Sequence, residues 1–201
     1  MRKAISHLKK SDPVLAVLIE RVGAYRMEYR EPTFESLVRS IVYQQLSGKV
    51  ARVIFGRLAA AVPGGQISPA AILKLTPLRM RKCGLSKQKT AYIRDLAKKT
   101  AKGEVPFESL SGMQDEAVIE CLTQVKGIGV WTAHMFLMFA LQRPNVLPTG
   151  DLGIRSAIRK AYGLKELPHP KKIEQIAGSW HPYCSVASWY LWRSLDTEAA
   201  L

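Results

Sequence analysis

The segment from Val125 to Ala133, VKGIGVWTA, places two glycines between two stretches of helical periodicity. Apolar residues recur at helical spacing both before it, in AVIECLTQV, and after it, in VWTAHMFLMFAL. Gly127 and Gly129 are therefore expected at a sharp corner between two helices, where backbone N–H groups can approach an anion closely. An ordinary helix C-terminal turn would also use glycine. The Gly-x-Gly pattern alone favours the ordinary turn, and the segment that follows it shifts the balance toward binding of phosphate groups such as those of a DNA backbone.

A carboxylate follows the corner in the segment NVLPTGDLGIR, Asn145 to Arg155. Asp151 stands at the start of a helical pattern that runs through Ile154, Ile158 and Tyr162. One role for an aspartate at such a position is to cap the helix N-terminus. A catalytic role is compatible with the cap, because the charge of the carboxylate is available to a ligand in either case. Asp151 is the candidate catalytic residue.

Together, the glycine corner, the apolar helix after it and the Leu-Pro-x-Gly-Asp-Leu segment resemble the helix–hairpin–helix (HhH-GPD) superfamily of DNA base-excision glycosylases. Among its branches, the chain looks most similar to the 3-methyladenine DNA glycosylase II type. The resemblance extends from about Pro32 to Arg193. It implies an all-α fold of two helical lobes with the active site in the cleft between them. The middle lobe would be residues 31–149, and the second lobe would combine residues 1–30 with residues 150–201.

The resemblance implies a reaction that needs little apparatus beyond one carboxylate. Breaking the N-glycosidic bond of an alkylated purine leaves positive charge on the deoxyribose, which Asp151 would stabilise in the transition state. Asp151 could also orient or deprotonate the attacking water. Bifunctional members use a lysine after the hairpin as an amine nucleophile, and this chain has Trp131 there. We therefore expect a monofunctional enzyme.

A flipped, cationic base gains from stacking on aromatic faces, by about 0.5–2 kcal/mol for each cation–π contact. By resemblance, the base pocket would contain Trp131, Trp192, Met135 and Tyr43. Met135 stands where a relative of this type has a pocket tyrosine, which alters the expected shape of the pocket. Other aromatic residues near the C-terminus, Trp180, Tyr183 and Trp189, are expected to pack in the core.

Contacts with DNA are expected from the hairpin and from the segment YQQLS, Tyr43 to Ser47. Gly127, Gly129 and Lys126 would contact the phosphate backbone. The family fills the gap left by the extruded base with a side chain from the YQQLS region, so Gln45 or its neighbour Gln44 is the candidate wedge. Two exposed helix glutamines would give the same pattern.

The resemblance also bears on cofactors. Family members often hold a monovalent cation, K⁺ or Na⁺, at the hairpin carbonyl groups, which here would be those of Val125 and Ile128. Some members carry a four-cysteine iron–sulfur cluster, and three scattered cysteines cannot supply its ligands. We expect no required cofactor and no iron–sulfur cluster.

Charge and composition agree with this interpretation. Thirty Lys and Arg against sixteen Asp and Glu give a net charge of +14, which favours polyanionic partners. Net charge alone does not distinguish RNA from DNA as the partner. The three cysteines are too few and too far apart for a disulfide framework or a zinc knuckle, so buried free thiols are expected. The sequence offers no long apolar segment and no signal peptide. We expect a soluble intracellular monomer, in the cytoplasm, nucleoid or nucleus, with damaged double-stranded DNA as its partner and no membrane contact.

Helix signals dominate the remaining sequence, and alternating strand patterns are nearly absent. Asp12-Pro13 and Ser68-Pro69 each predict a helix start with an N-cap and a first-turn proline. Pro32-Thr33 opens an apolar stripe from Phe34 to Val42, which is expected to continue through Val50, Val53, Ile54 and Leu58 with a possible interruption at Ser47-Gly48. The prolines between Arg143 and Pro148 predict a loop.

The expected function is a monofunctional DNA glycosylase that excises alkylated purines of the 3-methyladenine type by base flipping, in base excision repair. One alternative keeps the hydrolysis and changes the base to hypoxanthine, ethenoadenine or uracil. A second alternative is a noncatalytic helix–hairpin–helix module that recognises damaged DNA, since a hairpin alone only grips phosphates.

Overall fold

The structure, a computed structural model, describes residues 1–198, with side chains as far as residue 196. These residues form helices and loops without a β-strand, which confirms the all-α prediction. The twelve α-helices are α1 (Arg2–Ser11), α2 (Pro13–Val22), α3 (Phe34–Tyr43), α4 (Gly48–Ala61), α5 (Pro69–Lys74), α6 (Pro77–Lys82), α7 (Lys87–Ala101), α8 (Asp115–Thr123), α9 (Val130–Phe139), α10 (Leu152–Ala161), α11 (Pro170–Ala177) and α12 (Cys184–Glu198). Three 3-10 turns, Pro63–Gly65, Leu110–Gly112 and Gly178–Trp180, join neighbouring helices.

The chain divides into two compact units. The middle unit is Arg30–Leu141, and the terminal unit combines Met1–Tyr29 with the chain from Gln142 onward. The change of unit at Gln142 comes earlier than the boundary expected after residue 149. Ser185 of α12 explains the difference, because its hydroxyl donates to the Arg143 carbonyl at 2.6 Å and accepts from the Val146 N–H at 2.9 Å. Residues 142–149 therefore belong with α12.

Side-chain caps start most of the helices that position the site. Asp12 caps α2, and Pro13 occupies the first turn of that helix, as predicted. Ser68 and Pro69 begin α5 in the same way. Ser68 satisfies one, and Asp12 two, of the backbone donors that a helix N-terminus leaves without an intrahelical partner. Further caps are Thr33 of α3, Ser47 of α4, Thr76 of α6, Ser86 of α7 and Asp151 of α10.

Asp12 has a second function in the terminal unit. Its Oδ2 atom accepts hydrogen bonds from the Tyr162 hydroxyl at 2.6 Å and from the Trp180 indole N–H at 2.8 Å. Burial, together with the bond to Asp12, raises the pKa of Tyr162. Tyr162 is the C-cap of α10. Helix α10 is therefore held at both ends, at Tyr162 by Asp12 and at its N-terminus by contacts of Asp151.

The predicted apolar stripe of the middle unit is confirmed in α3 and in part in α4. The stripe of α3 is buried at Phe34, Leu37, Val38, Ile41 and Val42. The expected continuation through Val50 and Val53 was wrong, since these side chains are 47% and 49% exposed. The helix stops at Tyr43, and Ser47 caps a new helix that begins at Gly48, where the interruption was predicted. In this helix Leu58 is buried as predicted, and Ala51 is buried in place of Val50 and Val53. The interruption creates a short segment from Gln44 to Leu46, in which Gln44 is half-buried and Gln45 and Leu46 are exposed.

Candidate active site and DNA interface

Helices α8 and α9 enclose the predicted hairpin. Val125 and Ile128 are buried at 1% and 4% exposure and anchor the turn in the core. Gly127 between them has a φ of 79°, in the left-handed region that favours glycine. Gly129 is the N-cap of α9 and has a φ of −98°, which any residue can adopt. Backbone conformation therefore requires glycine only at position 127, whereas both glycines were predicted to be needed for the turn.

Glycine is also required at position 127 because the neighbouring residues leave no room for a side chain. A Cβ atom built on it would lie 2.0 Å from Cδ2 of Tyr92, a side chain of α7. A Cβ atom on Gly129 would meet nothing within 4 Å. The hairpin therefore packs its first glycine directly against an aromatic ring and leaves the second one open.

The backbone donors of the hairpin divide into used and available groups. The N–H of Lys126 donates to Oδ2 of Asp95 on α7 at 2.9 Å. Within residues 1–198, the N–H groups of Gly127 and Gly129 donate no hydrogen bond, and no side chain caps α9. The positive end of α9 and these two donors make the hairpin suitable for an anion.

Two carbonyl groups were predicted as cation ligands. The Val125 carbonyl accepts the Ile128 N–H at 3.0 Å and retains a second lone pair. The Ile128 carbonyl accepts no hydrogen bond from the described residues. Carbonyl oxygens of this kind fit a monovalent cation.

A cavity of about 1040 Å³ lies beside the hairpin within the middle unit. Trp131 is 49% exposed at this cavity. The cavity brings together the predicted pocket residues Tyr43, Trp131 and Met135, the wedge candidates Gln44 and Gln45, and the hairpin residue Gly127. The remaining pocket candidate, Trp192, belongs to the terminal unit. Gly129 does not line it, and Lys126 lies instead at a second cavity of about 450 Å³ that is lined by Arg81, Lys87, Arg94, Asp95 and Lys98.

Tyr43 does not offer both faces of its ring to a ligand. The guanidinium of Arg39 lies 4.4 Å from the ring centroid, at a distance typical of cation–π contacts. The hydroxyl of Tyr43 is buried and has no hydrogen-bond partner among the described residues. A stacking role for Tyr43 would therefore use one face at most.

The structure distinguishes the two predicted wedge residues. The amide Nε2 of Gln44 donates to the Gly127 carbonyl at 2.9 Å, so Gln44 joins its segment to the hairpin. Gln45 is exposed and has a φ of 54°. A positive φ is uncommon for a residue other than glycine and indicates that the surroundings hold this conformation in place.

The candidate catalytic carboxylate is in the terminal unit and is partly buried. Asp151 caps α10, and its Oδ1 atom accepts the Ile154 N–H at 2.8 Å. The same oxygen accepts the indole N–H of Trp192 at 2.9 Å. Two donors on one oxygen restrict rotation of the carboxyl group, and the site thus presents an oriented negative charge.

Trp192 was predicted as a stacking surface, and its hydrogen bond identifies an additional contact that the sequence did not indicate. Gly153 lies close to the pair: a Cβ atom on it would be 3.0 Å from Oδ1 of Asp151 and 3.0 Å from Cδ1 of Trp192. Any side chain at position 153 would press on both groups. Glycine in the segment Asp151-Leu152-Gly153 is the only sequence signal of this close approach.

A sequence model described as HhH-GPD superfamily base excision DNA repair protein matches residues 38–182, more than half of the chain. The chain belongs to the HhH-GPD superfamily. This membership confirms the resemblance carried by the hairpin and the Leu-Pro-x-Gly-Asp-Leu segment.

Relatives of this HhH-GPD protein include glycosylases of similar length. DNA-3-methyladenine glycosylase 1 of Schizosaccharomyces pombe is 36% identical over 200 residues, which cover 96% of this chain and 87% of the relative. The solved 3-methyladenine DNA glycosylase of that yeast, in complex with abasic DNA, superposes with a TM-score of 0.85 at 36% identity and covers 96% of this chain and 97% of its own. A DNA-3-methyladenine glycosidase of Bacillus halodurans gives a TM-score of 0.88 at 38% identity, with coverage of 98% and 91%.

The cysteines of this HhH-GPD protein are free and buried, as predicted. Burial raises the pKa of the Cys184 thiol to about 12, and burial likewise raises the pKa of Cys83 and Cys121. A protonated thiol is a poor nucleophile. Among the described residues, no group of three or more His, Cys, Asp or Glu side chains could hold a metal ion. No described helix is long and apolar enough to cross a membrane.

The two hairpin glycines give a matched pair of variants. Gly127→Ala should lower the free energy of unfolding by about 2–4 kcal/mol, because alanine would adopt a left-handed φ and collide with Tyr92. Gly129→Ala should change it by less than about 1 kcal/mol. Urea unfolding followed by circular dichroism measures both. Equal losses for the two variants would contradict the different packing of the two glycines.

Proposed function

We propose that the protein is a monofunctional DNA glycosylase that hydrolyses the N-glycosidic bond of alkylated purines, of the 3-methyladenine type, in double-stranded DNA. The reaction leaves an abasic site and belongs to base excision repair. The observation that carries the proposal is the oriented carboxylate of Asp151 in a member of the HhH-GPD superfamily. Relatives named as 3-methyladenine glycosylases support the choice of substrate.

Asp151 acts on the charge that develops as the bond breaks. The departing alkylated purine leaves the deoxyribose with oxocarbenium character, and a fixed anion near the sugar stabilises that state more than the ground state, in which the positive charge lies on the base. The hydrogen bonds from Ile154 and Trp192 orient the carboxylate before the substrate arrives, so little reorganisation is needed during the reaction. The same carboxylate orients the attacking water or accepts its proton.

Water rather than a protein amine is the acceptor of the sugar. The residue after the hairpin is Trp131, which has no nucleophilic nitrogen. Its exposed indole lies at the cavity with Met135. We assign the indole a stacking role toward the cationic base, to which an aromatic face contributes about 0.5–2 kcal/mol. Met135 adds a flexible, polarisable wall that can adjust to bases of different shape.

The hairpin and the excess of positive charge bind the DNA backbone. The available N–H groups of Gly127 and Gly129 would meet a phosphate at the positive end of α9, with Lys126 adding attraction beside them. Gln45, which is exposed and projects from the loop, would fill the gap left by the extruded base. Gln44 would hold that loop to the hairpin.

A monovalent cation, K⁺ or Na⁺, fits the carbonyl groups of Val125 and Ile128, since both have lone pairs available. When bound, it would offset the negative charge of a DNA phosphate near the hairpin. The glycosylase reaction itself requires no cofactor, because the leaving base is already cationic. We also propose that the protein acts as a monomer.

Asp151→Asn tests the role of the charge. Asparagine keeps the shape and the capping oxygen, so we expect single-turnover release of alkylated base to fall by about 100-fold or more, with stability changed by less than about 1 kcal/mol. Binding to duplex DNA that contains an abasic-site analogue should stay within a few-fold of wild type. Near-normal base release from folded Asp151→Asn would refute the assignment.

Trp192→Phe tests the orientation of the carboxylate. Phenylalanine retains an aromatic ring and removes the N–H donor to Asp151, so kcat for base release should fall by about tenfold while KM changes little. Trp189→Phe makes the same chemical change in the same helix, where Trp189 packs against Tyr25 at a ring distance of 4.7 Å. Equal effects of the two variants on kcat would mean that the indole N–H of Trp192 does not act through Asp151.

A further inference from the structure

Lys89 has a different environment from the other lysines of α7. Its Nζ atom donates hydrogen bonds to the carbonyls of Val42 at 2.8 Å and Gln44 at 2.6 Å. Burial lowers the pKa of the Lys89 amine. The two carbonyls lie at the C-terminus of α3, where a helix leaves carbonyl groups without intrahelical partners. A cation at this end also interacts favourably with the helix dipole.

The segment that Lys89 holds is short and exposed. Only Gln44, Gln45 and Leu46 separate the end of α3 from Ser47, the cap of α4. Gln45 and Leu46 are exposed, whereas Gln44 is tied to the Gly127 carbonyl. The main chain before the exposed pair is thus fixed by Lys89, and the side chain of Gln44 is fixed by the hairpin.

We propose that Lys89 is a positioning residue for base extrusion, which rests on the proposed glycosylase function. It acts through the backbone by holding the Val42 and Gln44 carbonyls, so that Gln45 and Leu46 form a rigid wedge. A wedge that is already rigid loses its conformational entropy during folding, so this loss does not weaken DNA binding. Entry of the wedge into the base stack competes with return of the extruded base, so a loosened segment lowers the extruded population.

Lys89 is not a phosphate contact in this account, because two of its three N–H donors are bonded to carbonyls and its side chain is half-buried. Removing a phosphate contact lowers the slope of log affinity against log salt by about one. Removing Lys89 should leave that slope unchanged. The two roles are therefore separable by a binding experiment.

Lys89→Met is compared with wild type on the same alkylated oligonucleotide as a duplex and as a single strand, under single-turnover conditions. We expect base release from the duplex to fall about tenfold and release from the single strand to stay within about twofold, since no base pair must be opened there. Extrusion of 2-aminopurine from a duplex, followed by fluorescence in stopped flow, should slow in parallel. Lys89→Arg retains the donors and should restore extrusion, and Lys89→Gln should give an intermediate result.

Lys102→Met is the matched control, because it removes the same charge just after the end of α7, where Lys102 is largely exposed. It should leave both rates unchanged. Equal losses on duplex and single strand, a reduced salt slope, or wild-type extrusion by folded Lys89→Met would overturn the proposal. If Lys89→Met does not fold, the same comparison is made with Lys89→Gln. No base release by wild type from either substrate would refute the proposed function, and the 2-aminopurine signal would still test Lys89.

Discussion

The Oδ1 atom of Asp151 accepts one hydrogen bond from the backbone of α10 and one from the indole of Trp192, and these two bonds fix the direction of the carboxylate. The rest of the terminal unit supports this geometry. Asp12 holds the far end of α10 through Tyr162, and Gly153 leaves the space that Trp192 needs. The helix cap and the proposed catalytic group are therefore the same atoms, and stability and activity can be separated only by variants that keep the cap.

In the middle unit, contacts from distant parts of the chain fix the backbone of the hairpin. Gly127 packs on Tyr92, its carbonyl accepts the amide of Gln44, and the neighbouring Lys126 N–H donates to Asp95. Helix α7 and the segment after α3 thus both contact the hairpin, and the N–H groups of Gly127 and Gly129 are left available for an anion. Rigid positioning of this kind lowers the entropy that must be lost when DNA binds.

Local patterns predicted the parts of the structure that local chemistry determines. Asp12-Pro13 and Ser68-Pro69 start helices because caps and first-turn prolines act within one helical turn. The turn at Gly127 was predicted from the glycines between two helical patterns, and Asp151 was identified from its position before an apolar helix. The exposure of Val50 and Val53 was missed because periodicity cannot show a change of helix phase across a short break. The hydrogen bond from Trp192 to Asp151 and the contacts of Lys89 join residues about 40 positions apart or more. Local patterns do not identify such partners, and Gly153 indicates only that a group approaches closely, not which one.

Transfer of the sugar to water, with no covalent protein–DNA intermediate, is tested most directly by a single-turnover reaction on duplex DNA with one defined alkylated purine. The reaction is run in parallel without borohydride, to measure free base and abasic strand, and with borohydride, to trap a protein–DNA adduct. Free base, abasic strand and protein–DNA adduct are quantified separately. Hydrolysis predicts equal amounts of free base and alkali-labile abasic strand and no adduct, because Trp131 offers no amine and the amine of Lys89, which lines the cavity, is held by two carbonyls. A trapped adduct that maps to a lysine, or the absence of free base, would contradict it.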